Sequence, residues 1–414
     1  MMIRSVLLRT LLLFPLGLMA QTNNLTGSPY SLFGLGVSTN ANIGKNSSLG
    51  NGGYALAGPN FINILNPASF GEYAERSFLF DFGFLVEMSN ISNRSANERR
   101  IAGNFSNLAI AASLSPKSSF GLSVAPYTDV GYSLIGVESN IEGSFDQFTS
   151  NILGTGSLND FRFSYGYALT EHLRIGGSLS YLFGTLEESE QIVADQSSLS
   201  IAEQSSYNGF RLGLGLQYEL GEKFTLGLVA NLPASLSGTQ DRVVDKSLDF
   251  VPTVVENETN ISLESFDLPL ELNGGILIRP SNQLAVNLDY GIRLWEATGQ
   301  RDNVGQFIDQ HVISLGGEYI KDKQGLKFWE RLQFRAGFNY DTGYLQVNDN
   351  KINSYGITAG IGIPLGYRSA SRLNISYANS SRGTTEGFLV QERFNTININ
   401  ISLKDIWFLK RKIN

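Results

Sequence analysis

The sequence predicts an all-β protein: an antiparallel transmembrane β-barrel of about 14 strands with a small N-terminal plug inside the lumen. Three observations carry this. Only 17% of the 414 residues are charged, while 11% are aromatic and 44 are glycine; soluble domains carry about a quarter charged residues. Mean hydropathy is −0.06, and beyond the N-terminus no run approaches the ~20 apolar residues of a membrane helix. A barrel reads as neutral because lipid-facing and lumen-facing residues alternate and cancel. Finally, apolar character recurs with period two from Ser77 nearly to the end.

Residues 1–20 read as a cleavable export signal. Arg4 and Arg9 supply the positive region, Leu11 to Leu18 a short apolar core, and Met19-Ala20 a small residue at the cut. The apolar run is too short to span a bilayer. Residues 21–76 do not alternate. They are rich in Gly, Asn and Ser, yet they hold Tyr30, Phe33, Leu35, Phe61, Ile62, Ile64 and Phe70, too much apolar surface for a solvated tail. A barrel of this size leaves interior room, so this segment reads as the plug.

The barrel itself spans residues 77–408, followed by a basic tail over 409–414. Phe78, Phe80, Phe82 and Phe84 share one face, with Asp81 and Glu87 on the other. The same division holds for Phe161, Phe163 and Tyr165 against Arg162, for Leu284, Leu288 and Tyr290 against Asp289, and for Phe334 and Phe338 against Arg335. Charges take the lumen parity because a charge facing lipid costs ~2–4 kcal/mol at midplane. On this parity Leu228→Arg should block assembly, and Asp81→Arg should be tolerated better. Short turns, such as 170–172 and 221–223, alternate with long polar connections at 91–104, 139–158, 185–207, 237–266, 296–309, 342–350 and 380–391. Tight periplasmic turns and long external loops produce this order and place both termini in the periplasm of a Gram-negative bacterium. The third strand breaks its own pattern: Pro126 and Asp129 interrupt it before Gly131. Proline removes a ladder hydrogen bond, so a kink or bulge is expected there.

Two short motifs carry a resemblance. Residues 28–36 read SPYSLFGLG, and Asn66, Pro67 and Ala68 follow just before the first strand. Both resemble the N-terminal hatch of the FadL/TodX-like outer-membrane protein family, in its Bacteroidota branch. The resemblance implies a closed barrel, an internal plug, diffusion of an apolar ligand, and a third-strand kink that opens the wall sideways. Pro126, Asp129 and Gly131 are then the expected lateral gate. The ending departs from the usual barrel pattern, because Trp407-Phe408 is followed by six further residues.

Arg162, Arg174, Arg211, Arg293 and Arg335 point inward by parity. They either pair with Asp289, Glu271 and Glu318 to stiffen the barrel, or anchor the carboxylate of an amphipathic ligand. No enzyme is expected: the two histidines, His172 and His311, fall at opposite rims. No cofactor or metal is expected, and the absence of cysteine excludes disulfides and a lipoprotein anchor. An acidic isoelectric point near 5.1 without a basic cluster argues against nucleic acid. Two functions remain. One is a FadL-like channel for passive uptake of hydrophobic or amphipathic small molecules. The other is a non-transporting barrel subunit of an outer-membrane assembly or secretion complex. The expected partners are membrane lipids and lipopolysaccharide, with a small hydrophobic ligand in the first case and complex partners in the second.

Overall fold

The computed structural model describes residues 26–406, apart from 40–42, 95, 141–146, 195–196, 249–250, 302–304, 348, 368 and 388. The export signal, the first residues of the plug and the basic tail lie outside the described residues. Fourteen antiparallel strands form a closed ring. They are β1 (Ser77–Ser92), β2 (Asn97–Ser115), β3 (Ser118–Asn140), β4 (Gln147–Ala168), β5 (Leu173–Ala194) and β6 (Ser197–Leu220). Two interrupted strands follow, β7 (Phe224–Asn231 and Ala234–Leu248) and β8 (Val251–Leu268 and Glu271–Ile278). The rest are β9 (Leu284–Arg293), β10 (Gln310–Ile320), β11 (Gln333–Asp341), β12 (Ser354–Pro364), β13 (Arg372–Gly383) and β14 (Gln391–Ile406). Pairing of β1 with β14, from Ser77↔Ile406 to Ser92↔Gln391, closes the ring.

The alternation is realised as expected. Leu79 and Asp81 are buried while Phe84 is exposed on the outer face, and the same division separates Asp289 from Leu288 and Tyr290. The interruptions in β7 and β8 fall at Pro233 and Pro269, which have no N–H to give the ladder. Arg211 bridges this gap: its Nε donates to Leu232 O at 3.0 Å and its Nη2 to Pro269 O at 2.6 Å.

The long polar connections expected at 139–158, 185–207 and 237–266 are corrected by the structure, because most of each is strand. β5 and β6 pair out to Ala194↔Ser197, and β7 and β8 out to Leu248↔Val251. Above the hydrocarbon neither face needs to be apolar, so these extensions lose the alternation while keeping the ladder. Consequently β3 to β6 run 23, 22, 22 and 24 residues, about twice the 9–11 that a bilayer requires. By contrast β9 to β12 run 10, 11, 9 and 11. The loop rim is therefore tall on one side and low on the other. Over the low side sits a small sheet, Gly305–Phe307, Leu345–Val347 and Asn350–Lys351.

The N-terminal segment docks on strands all around the ring, so it lies within it. Thr26 N donates to Asp129 in β3, Asn66 Nδ2 to Leu216 O in β6, Gly53 N to Asp289 in β9 and Gly50 N to Thr358 in β12. Ile43, Ile62, Ile64, Phe70 and Tyr73 pack with Leu79, Ala109 and Ala111 of the wall. Inward glycines permit this approach. A Cβ on Gly337 would meet Gly50 N at 2.1 Å, and one on Gly176 would meet Pro67 C at 2.4 Å.

Candidate functional site

The wall is split between β2 and β3. Their ladder runs from Ser115↔Ser118 up to Leu108↔Val124 and stops there. Beyond that level β2 continues against β1 to Asn97, and β3 continues against β4 to Asn140. The split begins at the expected interruption. Tyr127 is bulged out between Pro126↔Asn159 and Thr128↔Leu158. Ala125, Pro126, Asp129, Val130, Gly131 and Tyr132 are buried on both parities, whereas a wall strand exposes one face to lipid. So β3 bends into the lumen.

The N-terminal segment takes the place that β2 vacates. Val37 and Ser38 form a two-residue strand pairing with Asp129 and Thr128. Thr39 N donates to Tyr127 O at 3.0 Å and Thr39 Oγ1 to Pro126 O at 2.6 Å. Ser31 Oγ accepts from Gly131 N at 3.0 Å. Beside this strand lies a cavity of about 170 Å³ lined by Leu85, Glu87, Ser106, Asp129 and Phe394.

That cavity shares Thr39, Pro126 and Arg382 with a loop-side chamber of about 230 Å³. Arg162 and Arg293 line this chamber together with Asp160, Glu271, Asp289 and Asp341. Above it Trp295, Phe307 and Tyr344 stack with centroids 5.3–5.8 Å apart. With Phe33 and Phe266 they leave only about 30 Å³ beneath. An aromatic stack thus stands on the loop side of a polar chamber.

Of the five lumen arginines, Arg211 and Arg293 converge on Glu271 and the other three lie apart. Arg162 pairs with Asp160 at 2.6 Å and also donates to Ile64 O. Arg293 pairs with Glu271 at 3.7 Å and Gln310 at 2.9 Å. Arg211 joins the same Glu271 at 3.0 Å but sits at the strand break. Arg174 lies under the short helix Pro67–Glu72, between Glu72 and Glu219. Arg335 is at the opposite end of the lumen, held by Glu318 at 2.8 Å, Asn374 and Gln333. Lys45, from the N-terminal segment, shares Glu318 at 3.5 Å; burial pushes it below the usual lysine range, and Glu318 opposes that shift.

The Asn66-Pro67-Ala68 motif ties the inner segment to the wall. Asn66 Oδ1 accepts from Ala68 N and caps the short helix, while its Nδ2 reaches Tyr54 O at 2.8 Å and Leu216 O at 3.1 Å. His172 lies in the β4–β5 turn, and His311 near the loop end of β10, where its Nδ1 is 2.7 Å from Tyr290 Oη. Among the described residues no group of three or more His, Cys, Asp and Glu could hold a metal ion.

No curated protein matches this chain. A family model described as BamG matches residues 2–414. The chain belongs to the BamG family. Among solved structures it is similar to the toluene transporter TbuX of Ralstonia pickettii, with 18% identity over 86% of this chain and 97% of that one and a TM-score of 0.58. The toluene transporter TodX of P. putida gives 16% identity, 84% and 94% coverage and 0.57. A Pseudomonas aeruginosa FadL homologue gives 12%, 87% and 98%, and 0.60. The fold of this BamG-family chain is therefore that of the FadL/TodX outer-membrane barrels.

Several residues of the BamG-family site escape sequence reasoning. Arg382, which pairs with buried Glu392 at 3.6 Å and lies 5.3 Å from the Phe394 ring, borders both chamber and seam. The aromatic stack comes from connections without periodicity. One signal was available: Gly176, Gly215 and Gly337 stand at lumen parity in strong strands, where a missing side chain marks a close backbone approach.

Proposed function

We propose that this protein is an outer-membrane channel for passive uptake of hydrophobic or amphipathic small molecules, with its loop rim outside and its turn rim in the periplasm. The observation that carries the reading is the end of the β2–β3 ladder at Leu108↔Val124, with Val37 and Ser38 laid along the abandoned edge of β3. A molecule admitted past Trp295, Phe307 and Tyr344 reaches the chamber, then the seam cavity, and leaves into the membrane when the two-residue strand peels away. Arg162 and Arg293 line that route, but each already has a carboxylate partner. Their role is to keep the chamber polar and shaped; the apolar contacts come from the aromatic stack and the seam. The toluene transporters TbuX and TodX share this fold and lend support to the reading.

The chain has no cysteine, so an engineered bridge gives a clean test. Ser38 and Thr128 are direct ladder partners. Ser38→Cys combined with Thr128→Cys should, when oxidised, stop entry of a neutral naphthylamine dye into liposomes containing the protein, and reduction should restore it. Equal entry in both states would remove the lateral route.

A second reading, a non-transporting subunit of an outer-membrane complex, is favoured by a different observation. At the far tip of the β7–β8 hairpin, Val251, Val254 and Val255 are 64%, 60% and 60% exposed, well beyond the lipid-facing residues of the same strands. An apolar patch at that height suits a protein partner. A stoichiometric partner retained through purification in mild detergent, and lost on Val254→Asp, would support it.

A further inference from the structure

The channel reading leaves the turn end of the lumen unused, and that end gathers positive charge. A cavity of about 960 Å³ lies there, at the upper limit of the ~300–1,000 Å³ of small-molecule sites. Its ceiling is Lys45, Leu56 and Phe61 of the N-terminal segment, and its rim is made by the β6–β7, β8–β9, β10–β11 and β12–β13 turns. Lys45 and Arg335 stand deep inside, and Lys223, Arg279, Lys323, Arg331 and Arg372 stand nearer the rim. Among the described lining residues only Glu222 and Glu318 are acidic. Seven cations less two carboxylates leave five unbalanced positive charges. Glu318 is already shared by Lys45 and Arg335.

These cations come from the inner segment and from separate turns and strands, and they are held by different partners, with Arg372 against Arg331. Arg331 donates to Gly366 O at 2.9 Å and Tyr367 O at 3.1 Å and lies 5.0 Å from the Tyr367 ring. Its Nε is buried without a hydrogen-bond partner among the described residues. Arg279 is held by Thr225 at 3.0 Å, and Arg372 by Arg331 O at 3.4 Å. The amides of Asn60, Asn282 and Gln324 and the ring of Phe61 also line the cavity. A cleft lined by one sign of charge between low-dielectric walls focuses its field and gathers counter-charged ligands.

We propose that this vestibule binds an acidic peptide segment of a partner polypeptide. Dispersed cations with amides between them match a run of carboxylates on an extended chain, whose peptide groups the amides can pair. A single phosphate instead needs several donors converging on one point. A lipid headgroup is excluded by placement, since the cavity opens at the rim inside the ring while acyl chains stay outside it. The proposal does not depend on transport through the seam.

The test is fluorescence anisotropy of labelled hexaglutamate with the full-length barrel in detergent. Binding in the micromolar range is expected, with no binding of hexalysine. Affinity should fall roughly tenfold between about 50 and about 300 mM salt. Lys223→Glu combined with Lys323→Glu should weaken binding roughly tenfold; both lysines are exposed, and heat-modifiable migration on a gel checks that the barrel still closes. Three results would overturn the proposal: no binding of hexaglutamate, unchanged affinity in the folded double variant, or displacement of the peptide by inorganic phosphate beyond its effect on ionic strength.

Discussion

The two chambers of the lumen share one partition, the N-terminal segment, and differ in how their charges are balanced. In the loop-side chamber Arg162, Arg293 and Arg382 each face a carboxylate. Its remaining acids are satisfied by neutral donors: Asp289 accepts from Gly53 N and Tyr54 N, and Asp341 from Gly343 N and Gln310. In the turn-side vestibule cations outnumber carboxylates seven to two. Alternation along a strand puts charge inside but does not decide whether that charge is neutralised. Strand register and the turns decide most of it, since the partners of Arg162, Arg293 and Arg382 and six of the seven vestibule cations belong to the wall; the inner segment adds backbone N–H groups on one side and Lys45 on the other.

If this contrast holds, the largest effect belongs to Glu318→Gln. It leaves Lys45 and Arg335 buried without their shared carboxylate, at a cost of about 3–5 kcal/mol. The temperature at which the barrel loses its compact gel mobility should drop well below that of Asp289→Asn, whose partners are all neutral. Equal drops would mean that the two chambers are held together in the same way. Next comes the outer face as reference. Leu228, 58% exposed, should cost about 2–4 kcal/mol as Arg and block assembly. Asp81→Arg is no longer expected to be mild. Asp81 is 1% exposed and accepts from Asn107, Asn400 and Ser402, so a lumen position can be as intolerant as a lipid-facing one; full assembly of Asp81→Arg would restore the simpler parity rule.

Gly337→Val attacks the partition itself. Its side chain collides with Gly50 N, and overpacking of this kind costs about 1–3 kcal/mol. The variant should fold yet unseat the inner segment, and conductance across a planar bilayer should rise with a preference for anions imposed by the vestibule. Cation preference would show that the vestibule charges do not govern permeation. Arg162→Met should cost less than Glu318→Gln, because one carboxylate rather than two cations is orphaned and it lines the chamber. Asp160 loses both hydrogen bonds it accepts, and the change should lower stability by about 1–3 kcal/mol, measured by the same gel transition.

Much of the wall was legible in the sequence because its cause is local. Lipid on one side and protein on the other impose period two, and proline at 126 interrupts it wherever the strand is placed. The height of β3 to β8 was not legible, since strands above the bilayer no longer have an apolar face to reveal them. Nor was the vestibule. Lys45, Arg279, Arg331 and Arg372 lie on separate segments and meet only through barrel closure and docking of the inner segment. Parity found Arg335 but not its companions, because turn residues and irregular segments have no parity. Parity places the five arginines inward but leaves open whether they pair with carboxylates or anchor a ligand; each has a carboxylate partner in the structure, and their division between strand break, chamber, helix and vestibule depends on strand register.

The paired interruptions at Pro233 and Pro269 make a mechanical joint. Below them β7 and β8 pair with each other and with β6 and β9 in the ring; above them the same two strands extend the tall wall of β3 to β6, because the upper half of β6 pairs with β5 as well as with β7. At the level of the joint, ladder bonds give way to the guanidinium of Arg211, which grips Leu232 O on one strand and Pro269 O on the other. Side-chain bonds of this kind yield and re-form more readily than a continuous ladder. A sideways pull on the β7–β8 hairpin is therefore met first at the joint, while the unbroken β5–β6 ladder carries the rest of the load into the wall.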